Sequence, residues 1–358
     1  MATSILELPI LFKQGFEATQ VKYAKLGSSG LRVSLPILGG MSFGHKDWRE
    51  WVEDDEEEVG KLLKGAYDRG LNTWDTANVY SGGVSEEMIG RAIKKYEIPR
   101  HKIIIMTKCY FPSGEQPAVN YLKYPELFPR HKDYVNQYGL SRAAIFNAVT
   151  ASLKRLQTDY IDLLQIHRYD PSVPPEETMK ALHDLVETGK VRYIGASSMW
   201  AYQFAKLQYT AEKNGWTKFI SMQNHYSLLY REEEREMIKL CHETGVGLVP
   251  WGPLYSGVLA RPWSEQGKTT RANEQGKVLN DTDKEIVNRV EELANKKGWK
   301  MGQVALAWVV QKGTIPIVGF SNLERLDEAV AVKDKTLTEE EIKYLEEPYQ
   351  PKAVQGHS

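Results

Sequence analysis

The sequence predicts a single (β/α)8 barrel, and three observations predict it. Strand-like apolar runs alternate with amphipathic helical runs almost to the end of the chain. From Ile161 to Val191, Phe219 and Gly247, successive strands start 30, 28 and 28 residues apart. That is the period of a strand plus a crossover helix. With Leu35–Leu38 as the first, eight strands result, enough for a parallel sheet to close on itself. An open doubly wound sheet is the alternative.

Taken in order, residues 1–21 read as an N-terminal extension without a core of its own, 22–347 as the barrel, and 348–358 as a tail without periodicity. Lys22 to Pro36 forms two short segments around Gly27-Ser28-Ser29-Gly30, a small hairpin. The acidic run Glu53 to Glu58 opens a helix reaching Arg69, which Gly70 ends. Acids in a first turn favour the helix dipole, so the run reads as a solvated cap rather than a metal site.

Strand Asn72–Thr76 precedes helix Ser85–Lys95, strand Ile103–Lys108 precedes helix Ser141–Leu156, and strand Ile161–His167 precedes helix Pro175–Thr188. Strand Val191–Ala196 leads to helix Ala201–Asn214, and Phe219–Gln223 to helix Glu232–Thr244. Gly189, Gly215 and Gly245 close these helices. Strand Gly247–Pro250, helices Lys284–Lys297 and Gly302–Gln311, strand Thr314–Val318 and helix Leu323–Val332 complete the pattern, and Glu339–Glu346 is helical. Tyr110 to Leu140 and Tyr255 to Asp283 break the period. Both follow strand C-termini, the side where barrel enzymes build their sites.

Composition excludes several classes. The chain has 358 residues, 42% hydrophobic and 26% charged, ample for a core. Lys+Arg of 46 against Asp+Glu of 47 leaves a net charge of −1, so no basic footprint for nucleic acid or an anionic membrane exists. No apolar run approaches the ~20 residues of a spanning helix. Glu7 and Pro9 interrupt the apolar N-terminal residues and no basic residue precedes them, which argues against a signal peptide. Two cysteines, Cys109 and Cys241, are too few for a disulfide framework, and the cytosol is the expected location. The chain lacks a Rossmann glycine fingerprint, His-Glu-x-x-His and Cys-x-x-Cys, so no metal is expected.

The chemistry stands at the strand ends. The second strand ends in Asp75, with Tyr80 just beyond; the third ends in Lys108 and the fourth in His167. Each has an ordinary explanation alone, as a strand cap or a solvated rim residue. Together they complement one another. A lysine at a barrel mouth is costly unless paired, and Asp75 is the counter-charge. A cation beside Tyr80 is expected to lower the phenol's pKa from about 10 toward working pH. Such a tyrosine exchanges a proton with a carbonyl oxygen, while His167 donates a hydrogen bond to that oxygen.

This set resembles the Asp–Tyr–Lys–His tetrad of the aldo-keto reductase superfamily. The matching motifs are Asp75-Thr76-Ala77-x-x-Tyr80, Thr107-Lys108 and Asp159-Tyr160-Ile161-Asp162-Leu163-x-Gln165-x-His167. Ile194-Gly195-Ala196-Ser197-Ser198, Gln223-Asn224, Pro250-Trp251-Gly252-Pro253-Leu254 and Ile315-Pro316-Ile317-Val318-Gly319 follow in family order. The likeness is nearest the fungal aryl-alcohol-dehydrogenase-like branch.

The resemblance implies a barrel that transfers hydride from NADPH to an aldehyde or ketone, with Tyr80 as acid, Lys108 tuning it, Asp75 pairing with Lys108, and His167 orienting the carbonyl. It implies cofactor contacts from Gly40 and Met41, and from Ser197, Ser198 and Gln223 to the carboxamide. Trp251 would stack on the nicotinamide, and Gly252, Pro253, Leu254, Ser256 and Gly257 would hold the pyrophosphate. Gly319 and Ser321 open the last helix, where Arg325 would take the 2′-phosphate of NADP, Glu328 the adenine amine, and Ala329 pack nearby. Gly319 stands where the family often has Lys or Arg, and Ser198 where Asn is frequent.

The resemblance also implies a small carbonyl compound as substrate. Trp48, Trp51, Tyr110, Phe111, Tyr138 and Tyr226 lie in rim segments and either line an apolar pocket or pack the long loops together. Trp48, Trp51, Tyr110 and Tyr226 are the expected substrate contacts. A nicotinamide-binding, redox-sensing subunit with slow turnover is the second reading. Oligomeric state is not legible.

Overall fold

In the computed structural model, residues 9–357 other than 122 and 277 are described. The first eight residues of the expected extension lie outside them. The elements run α1 (Ile10–Ala18), β1 (Lys22–Lys25), β2 (Arg32–Leu35), β3 (Ile37–Gly39), α2 (Glu56–Asp68), β4 (Thr73–Asp75), α3 (Val84–Lys95), β5 (Ile104–Cys109), α4 (Arg142–Leu156) and β6 (Ile161–Ile166). They continue with α5 (Pro175–Glu187), β7 (Val191–Ser197), α6 (Ala201–Asn214), β8 (Ser221–Gln223), α7 (Met237–Thr244), β9 (Gly247–Leu248), α8 (Thr270–Gln275), α9 (Asp281–Lys297), α10 (Met301–Gln311), β10 (Ile317–Val318), α11 (Leu323–Val330) and α12 (Glu339–Glu346).

Eight parallel strands form one sheet in the order β10-β3-β4-β5-β6-β7-β8-β9. Its outer members meet as well: Ile315 N donates to Leu248 O at 2.9 Å and Ile317 N to Pro250 O at 2.9 Å. These bonds close the sheet into a barrel and exclude the open doubly wound alternative. The antiparallel hairpin β1–β2 plugs its lower end. Leu26, Leu31 and Val33 pack there against the inward side chains Ile37, Met106, Leu163, Val249 and Ile317. The hairpin turn presses on the β9 connection so closely that a Cβ on Gly27, at φ +59°, would lie 2.3 Å from Gly245 O. Only glycine fits there.

A larger apolar layer lies between the sheet and the surrounding helices. Helix α2 starts as the acidic run implies: Asp55 accepts from the amides of Glu57 and Glu58 at 2.8 and 3.2 Å. Among the described residues no cluster of metal-ligating groups occurs, and no helix is long and apolar enough to cross a membrane.

Some boundaries differ from expectation for clear reasons. The first barrel strand begins after Pro36, which has no N–H to offer a ladder. The helix expected over Glu232–Thr244 is a 3₁₀ turn, Glu232–Glu234, and then α7. The break follows from burial of Glu232, which accepts from Tyr349 Oη at 2.7 Å and Lys352 N at 2.8 Å. Those partners belong to the aperiodic tail, which is therefore ordered. Lys352 Nζ also reaches Asp283 at 2.5 Å, and Gln355 N donates to Tyr230 Oη at 2.8 Å. Helix α8, six residues capped by Thr269 Oγ1, is too short and polar to have shown a period. Helix α1 buries no residue and leaves Ile10, Leu11, Phe12 and Phe16 exposed.

Candidate active site

Strand register brings Asp75 and Lys108 to one rim, and the turn after β4 carries Tyr80 over it, its ring 6.0 Å from that of His167. The Cα partners run Gly39–Asp75, Lys108–Gln165, Gln165–Gly195 and Ser197–Gln223 around the barrel. Side chains of like parity therefore point into one mouth. Lys108 Nζ donates to Asp75 Oδ2 at 2.5 Å, Thr76 O at 2.9 Å and Tyr80 Oη at 3.3 Å. An ammonium has three N–H donors, so all are used. The Tyr80 oxygen accepts from Lys108, which leaves its own proton to be given elsewhere. Tyr80 lines the cavity above.

Asp75 is held by more than its ion pair. Gln165 Nε2 and Gln223 Nε2 donate to Oδ1 at 2.9 and 3.0 Å, and Gln223 Nε2 also donates to Gln165 Oε1 at 2.8 Å. Sequence reasoning passed over Gln165 as a support. Its signal was parity, two residues before His167 on an inward-facing strand. Both donors of the Gln223 amide are spent here, so only its oxygen remains for a ligand.

The electrostatics correct one expectation. Burial, the largest influence, pushes the Tyr80 phenol above its ordinary 10.0, and the opposing pull of Lys108 does not overcome it. Lys108 does not bring the phenol toward neutrality, because removing water penalises phenolate more than one shared cation rewards it. Tyr80 is thus protonated at neutral pH. For Lys108 burial is again the largest influence and favours loss of its proton, but Asp75, Tyr80 and their hydrogen bonds outweigh it and the pKa is raised. His167 lies well below its usual 6.5, through burial first and then Arg168 and Lys108, so its imidazole is neutral. His167 Nδ1 has no partner.

A cavity of about 690 Å³ opens from Tyr80 and Asp75 across the rim. Met41, Gln223, Trp251, Gly252, Pro253, Leu254, Ser256 and Gly257 line it, and so do Gly319, Ser321, Arg325, Glu328 and Ala329. Gly40 sits one layer down: its carbonyl accepts from Ser85 Oγ at 2.8 Å. Ser197 and Ser198 are buried, and Ser198 Oγ accepts from Trp251 Nε1 at 3.0 Å. The indole is backed by His225, 4.2 Å away and nearly parallel, which in turn stacks on Tyr230 at 4.3 Å. This column fixes the plane that Trp251 presents. Arg325 is not idle, since its Nη1 donates to Glu328 at 2.9 Å.

The rim aromatics divide. Trp48 is buried with its ring 6.1 Å from Tyr80, and Trp51 lines the cavity. Phe111 lies 5.0 Å from the His167 ring with Tyr110 edge-on to Phe111 at 4.9 Å, and neither is among the residues that line the cavity. Tyr138 joins Tyr121 in the packing of the long loop. Tyr226 is the clearest correction: it is fully buried, donates to Glu234 and packs 5.1 Å from Trp308 on α10. Alternation decides this. Gln223 and His225 face the cavity, so residue 226 faces the helices. Sequence reasoning missed Ser42, Arg261, Arg271 and Gln355 on the cavity wall. Cys109 is buried and its thiol is pushed up to about 12 by burial, an inert group.

Comparison with known proteins identifies the family. The model of the aldo/keto reductase family matches residues 37–350. An aldo-keto reductase of Fusarium vanettenii is 55% identical over 99% of this chain and 98% of its own. A Schizosaccharomyces pombe protein named as an aryl-alcohol dehydrogenase is 54% identical over 93% of this chain and 97% of its own. Versiconal hemiacetal acetate reductase of Aspergillus parasiticus is 50% identical over 93% and 98%. The chain is therefore an oxidoreductase acting on carbonyl and CH–OH groups, and it belongs to the aldo/keto reductase family, whose members use nicotinamide cofactors.

Proposed function

We propose that the protein is a cytosolic NADPH-dependent reductase of aromatic or small aliphatic aldehydes and ketones, acting reversibly through Tyr80. The observation that carries this reading is the Lys108 ammonium, shared among Asp75, Thr76 and Tyr80, which leaves the phenol's proton free to face the cavity.

The residues present fit a phosphorylated dinucleotide. Ser42 Oγ is buried on the cavity wall without a partner, and Asn322 caps the start of α11 at the same wall. Such a helix start favours an anion. Arg261 and Arg325 both line the cavity, and after burial the charge of Arg325 helps hold the Arg261 guanidinium below its ordinary pKa, so an anion such as a 2′-phosphate would be favoured at this wall. This supports NADPH over NADH. The flat face of Trp251, backed by His225, suits a stacked nicotinamide.

When bound, the nicotinamide supplies a hydride to the carbonyl carbon. The chain supplies the rest. Tyr80 gives its proton to the carbonyl oxygen as negative charge develops there, and Lys108 stabilises the phenolate that remains. Neutral His167 holds that oxygen by a hydrogen bond, and Trp48 and Phe111 exclude water beside it. In the alcohol-oxidising direction the same phenolate takes the proton back.

The test is Tyr80→Phe, assayed by NADPH oxidation with benzaldehyde. Turnover falls about 10²–10⁴-fold, the range for a lost general acid, while NADPH affinity is retained. Full turnover in this variant sinks the mechanism.

A further inference from the structure

Tyr80 stands on a turn that has no reason of its own to hold its shape. The three residues after it, Ser81, Gly82 and Gly83, all take positive φ, at 52°, 63° and 100°. Left-handed backbone is disfavoured for a residue with a side chain, so at Ser81 the surroundings must impose it. Helix α3 begins at once, and Gly83 at its N-cap offers no side-chain cap. What fixes the turn therefore lies outside it.

On the strand side, Asn78 N donates to Lys108 O at 3.2 Å and Asn78 Nδ2 to Phe111 O at 2.7 Å. On the helix side the anchor is Glu86, the third residue of α3, whose side chain is fully buried. Its Oε1 accepts from Thr107 Oγ1 at 2.6 Å, and its Oε2 from Arg155 Nε at 2.7 Å. Thr107 precedes Lys108 on β5, and alternation turns its hydroxyl out toward the helices while Lys108 turns into the mouth. One strand thus places the ammonium on its inner face and the Glu86 anchor on its outer face. Arg155, at the end of α4, passes so close to the turn that a Cβ on Gly83 would lie 2.6 Å from its Cδ.

A buried carboxylate is held firmly only when a charge and hydrogen bonds satisfy it, and both are present here. Glu86 is nevertheless not among the residues that line the cavity, so it has no contact with a ligand to explain it. Its effect reaches the site through distance. Of the three bonds from Lys108 Nζ, the one to Tyr80 Oη is the longest, at 3.3 Å against 2.5 and 2.9 Å. A slip of the turn by a few tenths of an ångström takes it beyond hydrogen-bond range while the other two survive.

We propose that Glu86, held between Thr107 and Arg155, is a positioning residue for proton delivery that sets Tyr80 Oη against Lys108 Nζ. This rests on the reductase reading above and adds to it the group that places the acid.

The experiment compares Thr107→Val, which removes the hydroxyl and keeps the shape, with Thr107→Ser, which keeps the hydroxyl. The kcat/KM for benzaldehyde with NADPH is measured in ordinary and in heavy water. A merely structural defect lowers the active fraction and leaves the solvent isotope effect alone, because the surviving molecules react as before. A misplaced phenol slows proton donation itself and raises that isotope effect. Thr107→Val is expected to lose about ten-fold in kcat/KM, as one hydrogen bond to a charged group implies, with a larger isotope effect and unaltered NADPH affinity. Thr107→Ser keeps both close to the wild type. If Thr107→Val does not fold, Arg155→Lys, which keeps the charge without the fork, carries the same test with a smaller loss. A solvent isotope effect equal to that of the wild type in the variant that folds, whatever its activity, overturns the proposal. Failure of the reductase reading looks different: the wild type then oxidises no NADPH with benzaldehyde, or Tyr80→Phe keeps full turnover.

Discussion

Two ion pairs at the rim of this barrel are made of similar groups and behave as opposites. Lys108–Asp75 is sealed, with side-chain exposures of 0% and 3%, and every polar hydrogen of the ammonium is committed. Arg325–Glu328 is an i,i+3 pair on α11 with exposures of 53% and 19%. The first has no water to fall back on, so its geometry is imposed and its loss is severe. The second contributes little to stability and gives up its partner at small cost when a better anion arrives. On the proposed reading, rigid charge stands where the proton would move and exchangeable charge where the cofactor's phosphate would dock.

The severe end of that contrast is tested first. Lys108→Met leaves Asp75 buried without its cation and is expected to cost about 3–5 kcal/mol of stability, measured by denaturant unfolding. Turnover falls with it by about 10²–10⁴-fold. Adding Asp75→Asn restores part of the stability and none of the turnover. A Lys108→Met protein as stable and active as the wild type would falsify the sealed-pair description.

A pH profile sharpens the same pair. Reduction needs Tyr80 protonated, and its pKa is raised above 10.0, so the proton is present wherever pH lies below that value. The kcat/KM for reduction is expected to stay level from about pH 6 to 9 and to decline only above about 10. His167 adds no acid limb near 6.5, because its pKa lies well below and it stays neutral through this range. An alkaline limb centred near neutrality would mean that ligand binding, rather than the protein alone, sets the phenol.

The smallest effects belong to the open pair. Arg325→Ala is expected to raise KM for NADPH about ten-fold through one lost charge-assisted hydrogen bond, and to leave KM for NADH unaltered. Its stability should shift by no more than about 0.5 kcal/mol. Equal losses for the two nucleotides would remove Arg325 from the 2′-phosphate.

How much of this was legible in the sequence depended on parity and period. Asp75, Lys108 and His167 could be read because each ends a strand, and strand ends of a barrel share one rim. Gln165 was legible by the same rule, two residues before His167, and was passed over. Tyr226 was misplaced because a loop was assumed where the strand's alternation still held. Arg271 gave no signal, since its short polar helix has no period and its partner Trp51 lies 220 residues away in the chain.

The sequence by itself determined the barrel, the N-terminal hairpin, the strand-end residues Asp75, Lys108 and His167, and Tyr80 in the turn just beyond the second strand. These follow from local periodicity, which the backbone repeats every two or about 3.6 residues. Only the tertiary structure decided the direction of the Tyr80 shift, because desolvation depends on what surrounds the ring rather than on what adjoins it in the chain. It likewise decided that the aperiodic tail is anchored by Glu232 and Asp283, that Trp251 is backed by His225, and that Arg271 stands unpaired over Trp51. Each is a contact between distant segments, fixed by packing after the strands have closed.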